Sequence, residues 1–398
     1  MHSSLPSRRI LSIDAFRGIT ILVMVFVNEL AGIRDIPQWM KHVPAGADAM
    51  TFVDVVFPAF LFIVGMSLPF AINNRVQKGD RFLRLQWHIA WRTLGLLVLG
   101  VFMVNGEGGY NEEAMGMSIH LWLLLFYISA VLIWNVYRNQ KRIWVYLLRT
   151  TGIAGLLILA AVYRGGDDGT ACITPRWWGI LGLIGWAYLF AGIFFQLFRK
   201  NMVMMPAMIC FCIAWYIAGK SAFVQENESL RWISSQAGNA AHTSIVLCGI
   251  VLSLIYFDKN GNRTATRRFA AAGIFTLLLF VAGYILRPYF GISKIYATPT
   301  WCLYCAAICC IIFSMLYWLT DIKKINGWTR FFNPAAVNPL LTYIIPGILY
   351  ALFAVLHIAI LPDSLRYGIP GFLWAVFYAI AVMYIAKGLN KLNIKLQL

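Results

Sequence analysis

The chain has 398 residues, of which 60% are hydrophobic and only 12% charged, and its mean hydropathy is +0.71. Soluble domains are about 45–50% apolar and about 25% charged, so this composition excludes a water-soluble globular enzyme and a disordered chain. A net charge of +17 would point to nucleic acid in a soluble protein; among apolar runs this dense it asks which side of a bilayer the charge occupies, and no nucleic-acid partner is expected. The first nine residues, Met1 to Arg9, lack the apolar core and cleavage site of a removed signal peptide, so the first apolar run reads as an uncleaved anchor.

A spanning helix needs about 20 apolar residues. In chain order the candidate runs are Ile13–Leu30, Phe52–Ile72, Trp87–Val104, Ile119–Tyr137, Ile143–Val162, Trp177–Phe198, Met202–Ala218, His242–Phe257, Phe269–Leu286, Trp301–Leu319, Val337–Leu361 and Gly371–Ala386. The loops test that number, because cytoplasmic loops carry excess Lys and Arg. With a cytoplasmic N-terminus the inner segments hold Arg8, Arg9 and Arg17; Arg75, Lys78, Arg81, Arg84 and Arg92; Arg138, Lys141, Arg142 and Arg149; Arg199 and Lys200; Lys259, Arg263, Arg267 and Arg268; Lys323, Lys324 and Arg330; and Lys387, Lys391 and Lys395. That is 24 of the 33 basic residues, while 12 of the 16 acids fall outside. Adding or dropping one span scrambles this alternation. The expected fold is therefore an all-α polytopic membrane protein of about 12 transmembrane helices, one domain over 1–398, with both termini cytoplasmic and membrane lipids as its surroundings. Seven of eight cysteines lie in apolar runs and read as reduced packing residues; Cys302 and Cys305 have no partner pair, so no metal is expected.

Ionisable groups inside spans are functional hypotheses by default. Asp14 and Arg17 are three apart at the inner end of the first run, so they share a helix face and can pair, or Arg17 can help hold an anionic group. Asn28 and Glu29 close that run, where they read as an interfacial cap. His42, in the loop between Pro37 and Pro44, carries an imidazole, a side chain suited to proton transfer, but is as readily a solvated histidine. Asp54 opens the second run, where the helix dipole alone favours a carboxylate; its alternative role is to orient His42 or bind an acceptor. Gly65 permits close helix packing and Pro58 loosens the helix. Arg92 and Arg149 lie more than a turn inside their spans, either snorkelling or lining an anion site; Asn338, before Pro339, starts the eleventh span as a cap. The histidines at 88, 120, 242 and 357 read as interfacial.

The stretch Asp14-Ala15-Phe16-Arg17-Gly18, then Asn28, then Lys41-His42, then Asp54-Val55-Val56-Phe57-Pro58 through Gly65 resembles the lysosomal heparan-alpha-glucosaminide N-acetyltransferase family. Phe331-Phe332-Asn333-Pro334 and Asn338-Pro339-Leu340-Leu341-Thr342-Tyr343 resemble a second block of that family, and Trp301 to Asp321 is similar to the span before it. The resemblance implies acetyl transfer across a membrane, from cytosolic acetyl-CoA to the amine of a glucosamine-type sugar on the far side. It implies that His42 is the catalytic histidine and Asn28 its companion, although the family has fewer residues between them and Lys41 anchors the alignment. Residues 177–218 read as a helix pair added relative to the animal enzyme, whose lumenal N-terminal domain and Pro-Glu-Gly segment have no counterpart here.

The expected mechanism has His42 as general base, or as an acetylated intermediate; Asn28 as oxyanion donor; and Asp54 fixing the imidazole. Arg17, Arg92, Arg149 and Asn338 are the expected acetyl-CoA contacts, with Arg75, Arg84 and Lys323 at the mouth. The rivals are a sugar or lipid carrier or flippase with no covalent step, and an O-acetyltransferase of a cell-surface glycan. The expected location is a bacterial inner membrane, and a homodimer is admitted by analogy alone.

Overall fold

The computed structural model describes residues 10–138, 140–199, 201, 203–258 and 264–398. Arg8, Arg9, Lys200, Lys259 and Arg263 of the expected inner segments, and the start of the seventh run at Met202, lie outside the described residues. Among the described residues the regular structure is helical, with only isolated β-bridges between loops. The apolar helices are α1 (Leu11–Leu30), α2 (Val53–Gln77), α3 (Phe82–Glu107), α4 (Ile119–Trp134), α5 (Arg142–Val162), α6 (Gly179–Phe198), α7 (Met204–Gly219), α8 (Ala237–Phe257), α9 (Ala265–Phe290), α10 (Pro299–Tyr317), the bent pair α11 (Thr329–Val337) and α12 (Pro339–Val355), and α13 (Gly368–Lys391). Among the described residues nine helices are long and apolar enough to cross a membrane, or ten when the bent pair is taken as one span; α4 and α7 are apolar but shorter. This is a polytopic membrane protein.

The chain divides into two compact units. One comprises residues 37–93 and 183–330 with the start of α1, and so holds α2, most of α6, and α7 to α10. Its centre is the contact of α2 with α8. A Cβ on Gly65 would meet the Val246 carbonyl oxygen at 1.9 Å, and one on Gly249 would meet that of Phe62 at 2.1 Å. The two helices thus approach backbone to backbone because each has a glycine where they cross. Phe62, Val246 and Ile250 around the crossing are fully buried. The outer face of α9 shows the opposite, with Ile274, Leu277 and Leu278 more than 60% exposed, as expected of a surface whose solvent is lipid.

The other unit comprises residues 21–36, 94–182 and 331–398 and holds α4, α5, α11, α12 and α13. Phe102, Trp122 and Phe126 stack in its core, with centroids 5.1–6.3 Å apart. Trp122 Nε1 donates to the Leu159 carbonyl at 2.9 Å, satisfying the indole as burial requires. Between α11 and α12 the chain bends by 83°. Pro339 has no N–H and disfavours helical backbone in the residue before it, and Asn338 accordingly sits at φ −135° and ψ 61°. The helices overrun the apolar runs at several ends. α2 continues to Gln77 and α3 begins at Phe82, since hydropathy registers only the lipid-facing part while helical hydrogen bonding carries on into polar residues.

Candidate active site

His42, Asp54 and Lys294 meet in the first unit. Asp54 is the second residue of α2 and its side chain is 3% exposed. Thr51 donates its backbone N–H to Asp54 Oδ2 at 3.0 Å and its hydroxyl to the Lys41 carbonyl at 2.9 Å, which ties the loop to the helix start. The loop is also stapled to the turn after α9. Ser293 Oγ donates to the Ala45 carbonyl at 2.8 Å, and the Arg287 guanidinium pairs with Asp48 at 3.1 Å. These ties carry His42 Nδ1 to 2.6 Å from Asp54 Oδ1 while leaving 44% of its side chain open. An ionised carboxylate only accepts, so Nδ1 bears the proton and Nε2 is left with a lone pair. Lys294 Nζ lies 3.2 Å from Nε2 and 3.3 Å from Nδ1. Burial pushes the Lys294 ammonium below its usual range, with Asp54 and Cys305 partly offsetting this. The arrangement is therefore carboxylate, imidazole and a cation of reduced basicity: a base with its tautomer set and a proton donor beside it.

The supports of this site come from α10 and α8. Trp301 Nε1 donates to the Asp54 carbonyl at 3.2 Å. His242 is buried edge-on against Phe57 and Trp301, at 5.2 and 6.1 Å between centroids, and its Nδ1 has no hydrogen-bond partner among the described residues. The sequence marked His242 only as interfacial and did not mark Lys294 at all. A lysine in a loop is ordinarily solvated, and only the fold brings it 252 residues back to His42.

Asn28 belongs to the second unit, where it lines a cavity of about 310 Å³ with Glu29, Ile33, Tyr350, Arg366 and Tyr378. Glu29 Oε2 accepts from the Tyr350 hydroxyl at 2.5 Å and Oε1 from Trp374 Nε1 at 2.6 Å. Asn28 is exposed and Glu29 is half-buried.

The remaining residues singled out by sequence divide. Arg17 pairs with Asp14 at 3.0 Å, as the spacing implies, and its Nη2 also donates to Ser67 Oγ at 2.7 Å. Arg92 stands over the Tyr188 ring at 4.9 Å, and its Nε has no hydrogen-bond partner among the described residues. Arg75 bridges Asp80 at 3.0 Å and His88 Nδ1 at 3.2 Å, with Arg84 on the same carboxylate at 3.3 Å. Arg149 is exposed on α5, a helix with little buried surface. Asn338 is fully buried and does not cap α12 through its side chain. Its amide donates to Asn390 Oδ1 and the Ile394 carbonyl and accepts from Leu396 N–H, so it clasps the C-terminal segment.

The model of a family described as a domain of unknown function (DUF5009) matches residues 9–233, more than half of the chain. Human heparan-alpha-glucosaminide N-acetyltransferase is 40% identical over 104 residues, 26% of this chain and 15% of that protein. The mouse protein of the same name is 36% identical over 100 residues, 25% of this chain and 14% of its own. The similarity thus spans about a seventh of the length of these two relatives, and it agrees with the resemblance read from the motifs.

Proposed function

The chain belongs to the DUF5009 family, and we propose that it is a transmembrane acetyltransferase which moves acetyl from cytosolic acetyl-CoA to the amine of a glucosamine-type sugar on the other side of the membrane. The observation that carries this reading is the 2.6 Å hydrogen bond from His42 Nδ1 to Asp54, which leaves the lone pair on Nε2, with Lys294 Nζ 3.2 Å from it. It supports the chemistry that the relatives' name describes. The proposal includes twelve spans with both termini cytoplasmic, in a bacterial inner membrane.

In the step proposed, the amine nitrogen attacks the thioester carbonyl carbon as Nε2 of His42 takes its proton. The C–S bond then breaks, and the CoA thiolate takes a proton from the imidazolium, either directly or by way of Lys294, which gives up its own proton and recovers one from the imidazolium. General base catalysis of this kind is worth typically 10²–10⁴-fold. For Asn28 we propose the companion role that the resemblance implies. For the CoA phosphates we propose Arg17, Arg92 and the Arg75–Arg84 cluster, with Lys323 at the mouth. Arg149, exposed on α5, and Asn338, whose amide is already engaged by the C-terminal segment, are assigned to topology and to fold.

The test is detergent-purified protein with radiolabelled acetyl-CoA and glucosamine. Acetylglucosamine is expected from the unaltered chain. His42→Ala is expected to lower turnover by at least about 100-fold while CoA still binds. Movement of the sugar without acetyl turnover would instead establish a carrier, and transfer to neutral sugars alone would establish an O-acetyltransferase.

A further inference from the structure

We infer that the cavity around Glu29 is a subsite for the ammonium group of the sugar acceptor, with Glu29 as its counter-ion. The inference rests on the acetyl-transfer reading only in giving the bound amine the role of acceptor, which it takes up after the ammonium has released its extra proton to water. A carboxylate taken out of water needs a partner charge or several hydrogen bonds. Half-buried Glu29 has two donors, Tyr350 and Trp374, both neutral. Among the described residues no cation lies within ion-pair distance of it. The cation on the cavity wall, Arg366, is turned to Asp363 at 3.4 Å and to the Leu361 carbonyl at 3.3 Å. If these bonds served only to tie α1 to α12 and α13, a glutamine carbonyl could accept them without a charge to desolvate. The negative charge therefore exists for something that enters.

The geometry narrows what enters. Each Glu29 oxygen has one donor and retains acceptor capacity toward the cavity, since a carboxylate offers about four acceptor positions. Tyr350 and Tyr378, with ring centroids 5.9 Å apart, wall the same space. Aromatic faces favour both an ammonium and the C–H face of a sugar. A volume of about 310 Å³ suits one small ring, at the lower end of the usual range of roughly 300–1,000 Å³ for ligand pockets. A primary amine on a monosaccharide meets all of these demands, and a neutral sugar leaves the carboxylate uncompensated.

The experiment is equilibrium binding of glucosamine and of glucose to the detergent-purified full chain without acetyl-CoA, by isothermal titration. Below the titration of the sugar amine, glucosamine is expected to bind at least tenfold tighter than glucose. In Glu29→Gln that preference should fall to within twofold. Should this variant not fold, the unaltered chain still decides: raising the pH until the amine is neutral must remove the preference. Equal binding of the two sugars, a preference that survives Glu29→Gln, or one that persists for the neutral amine overturns the inference. Because no acetyl donor is present, a chain that fails to transfer acetyl can still pass this test. Conversely, unchanged transfer kinetics with glucosamine in Glu29→Gln would sink the subsite and leave the role of His42 standing.

Discussion

The usefulness of His42 depends on which of its nitrogens holds the proton, and Asp54 decides that. Asp54→Asn keeps the volume but replaces an obligate acceptor by an amide that can donate, so the tautomer with its lone pair on Nε2 is no longer favoured. Acetyl turnover is expected to fall roughly 10²–10⁴-fold with CoA affinity within twofold, measured by steady-state kinetics and equilibrium CoA binding. Lys294 makes a separate prediction. Burial holds its folded-state pKa below the ordinary 10.5, so between those two values the unfolded chain binds more protons than the folded one. Stability must then rise with pH across that interval. Relative to Lys294→Met, the melting temperature of the unaltered chain in detergent should climb as pH is raised toward 10.5. A difference between the two that does not change with pH would count against the burial of this charge. The sequence disclosed His42 and Asp54 because they stand twelve residues apart at the mouth of one helix. It disclosed Glu29 only as a cap, because the partners that give it meaning, Tyr350 and Trp374, are 321 and 345 residues away.

At the level of helices, α2, which carries Asp54, is packed through its crossing with α8. Gly65 was readable as a packing residue, but its counterpart Gly249 was not, since a glycine in an apolar run announces close approach without naming the partner. Gly65→Leu would drive a side chain into the Val246 backbone, which cannot yield as a flexible side chain could. A loss of about 1–3 kcal/mol or more is expected from such overpacking, read as a lowered melting temperature and a reduced yield of monodisperse protein. Gly273→Leu is the control, because a Cβ there meets nothing within 4 Å; similar losses in both variants would refute the crossing as the cause. The runs found from hydropathy correspond to the helices observed, except that the eleventh begins after a break. Asn338-Pro339 marked the start of that helix correctly. The separate turns of α11 were invisible because they are amphipathic and short. The clasp made by Asn338 was invisible because it reaches 52–58 residues forward, to Asn390, Ile394 and Leu396.

For the whole molecule, the composition fixed the solvent and the charge alternation proposed the orientation. The segment Tyr163–Trp178 should then face the outer compartment, and the Lys78–Arg81 turn with Arg84 should face the cytoplasm. The chain carries its own probe of this. Cys172 is an exposed thiol in the former segment, six of the other cysteines are buried, and Cys210 is exposed only on the apolar helix α7. A maleimide reacts through the thiolate, which requires contact with water, so a thiol facing lipid stays silent. In intact bacterial cells expressing the chain, a membrane-impermeant maleimide should label the protein, and Cys172→Ser should abolish the labelling. Adding Arg84→Cys to that variant should restore labelling only after the cells are opened. If Cys172 instead reacts only in opened cells, the orientation is inverted; acetyl-CoA would then have to approach from the side of His42, and the proposed crossing of the acetyl group would lose its direction.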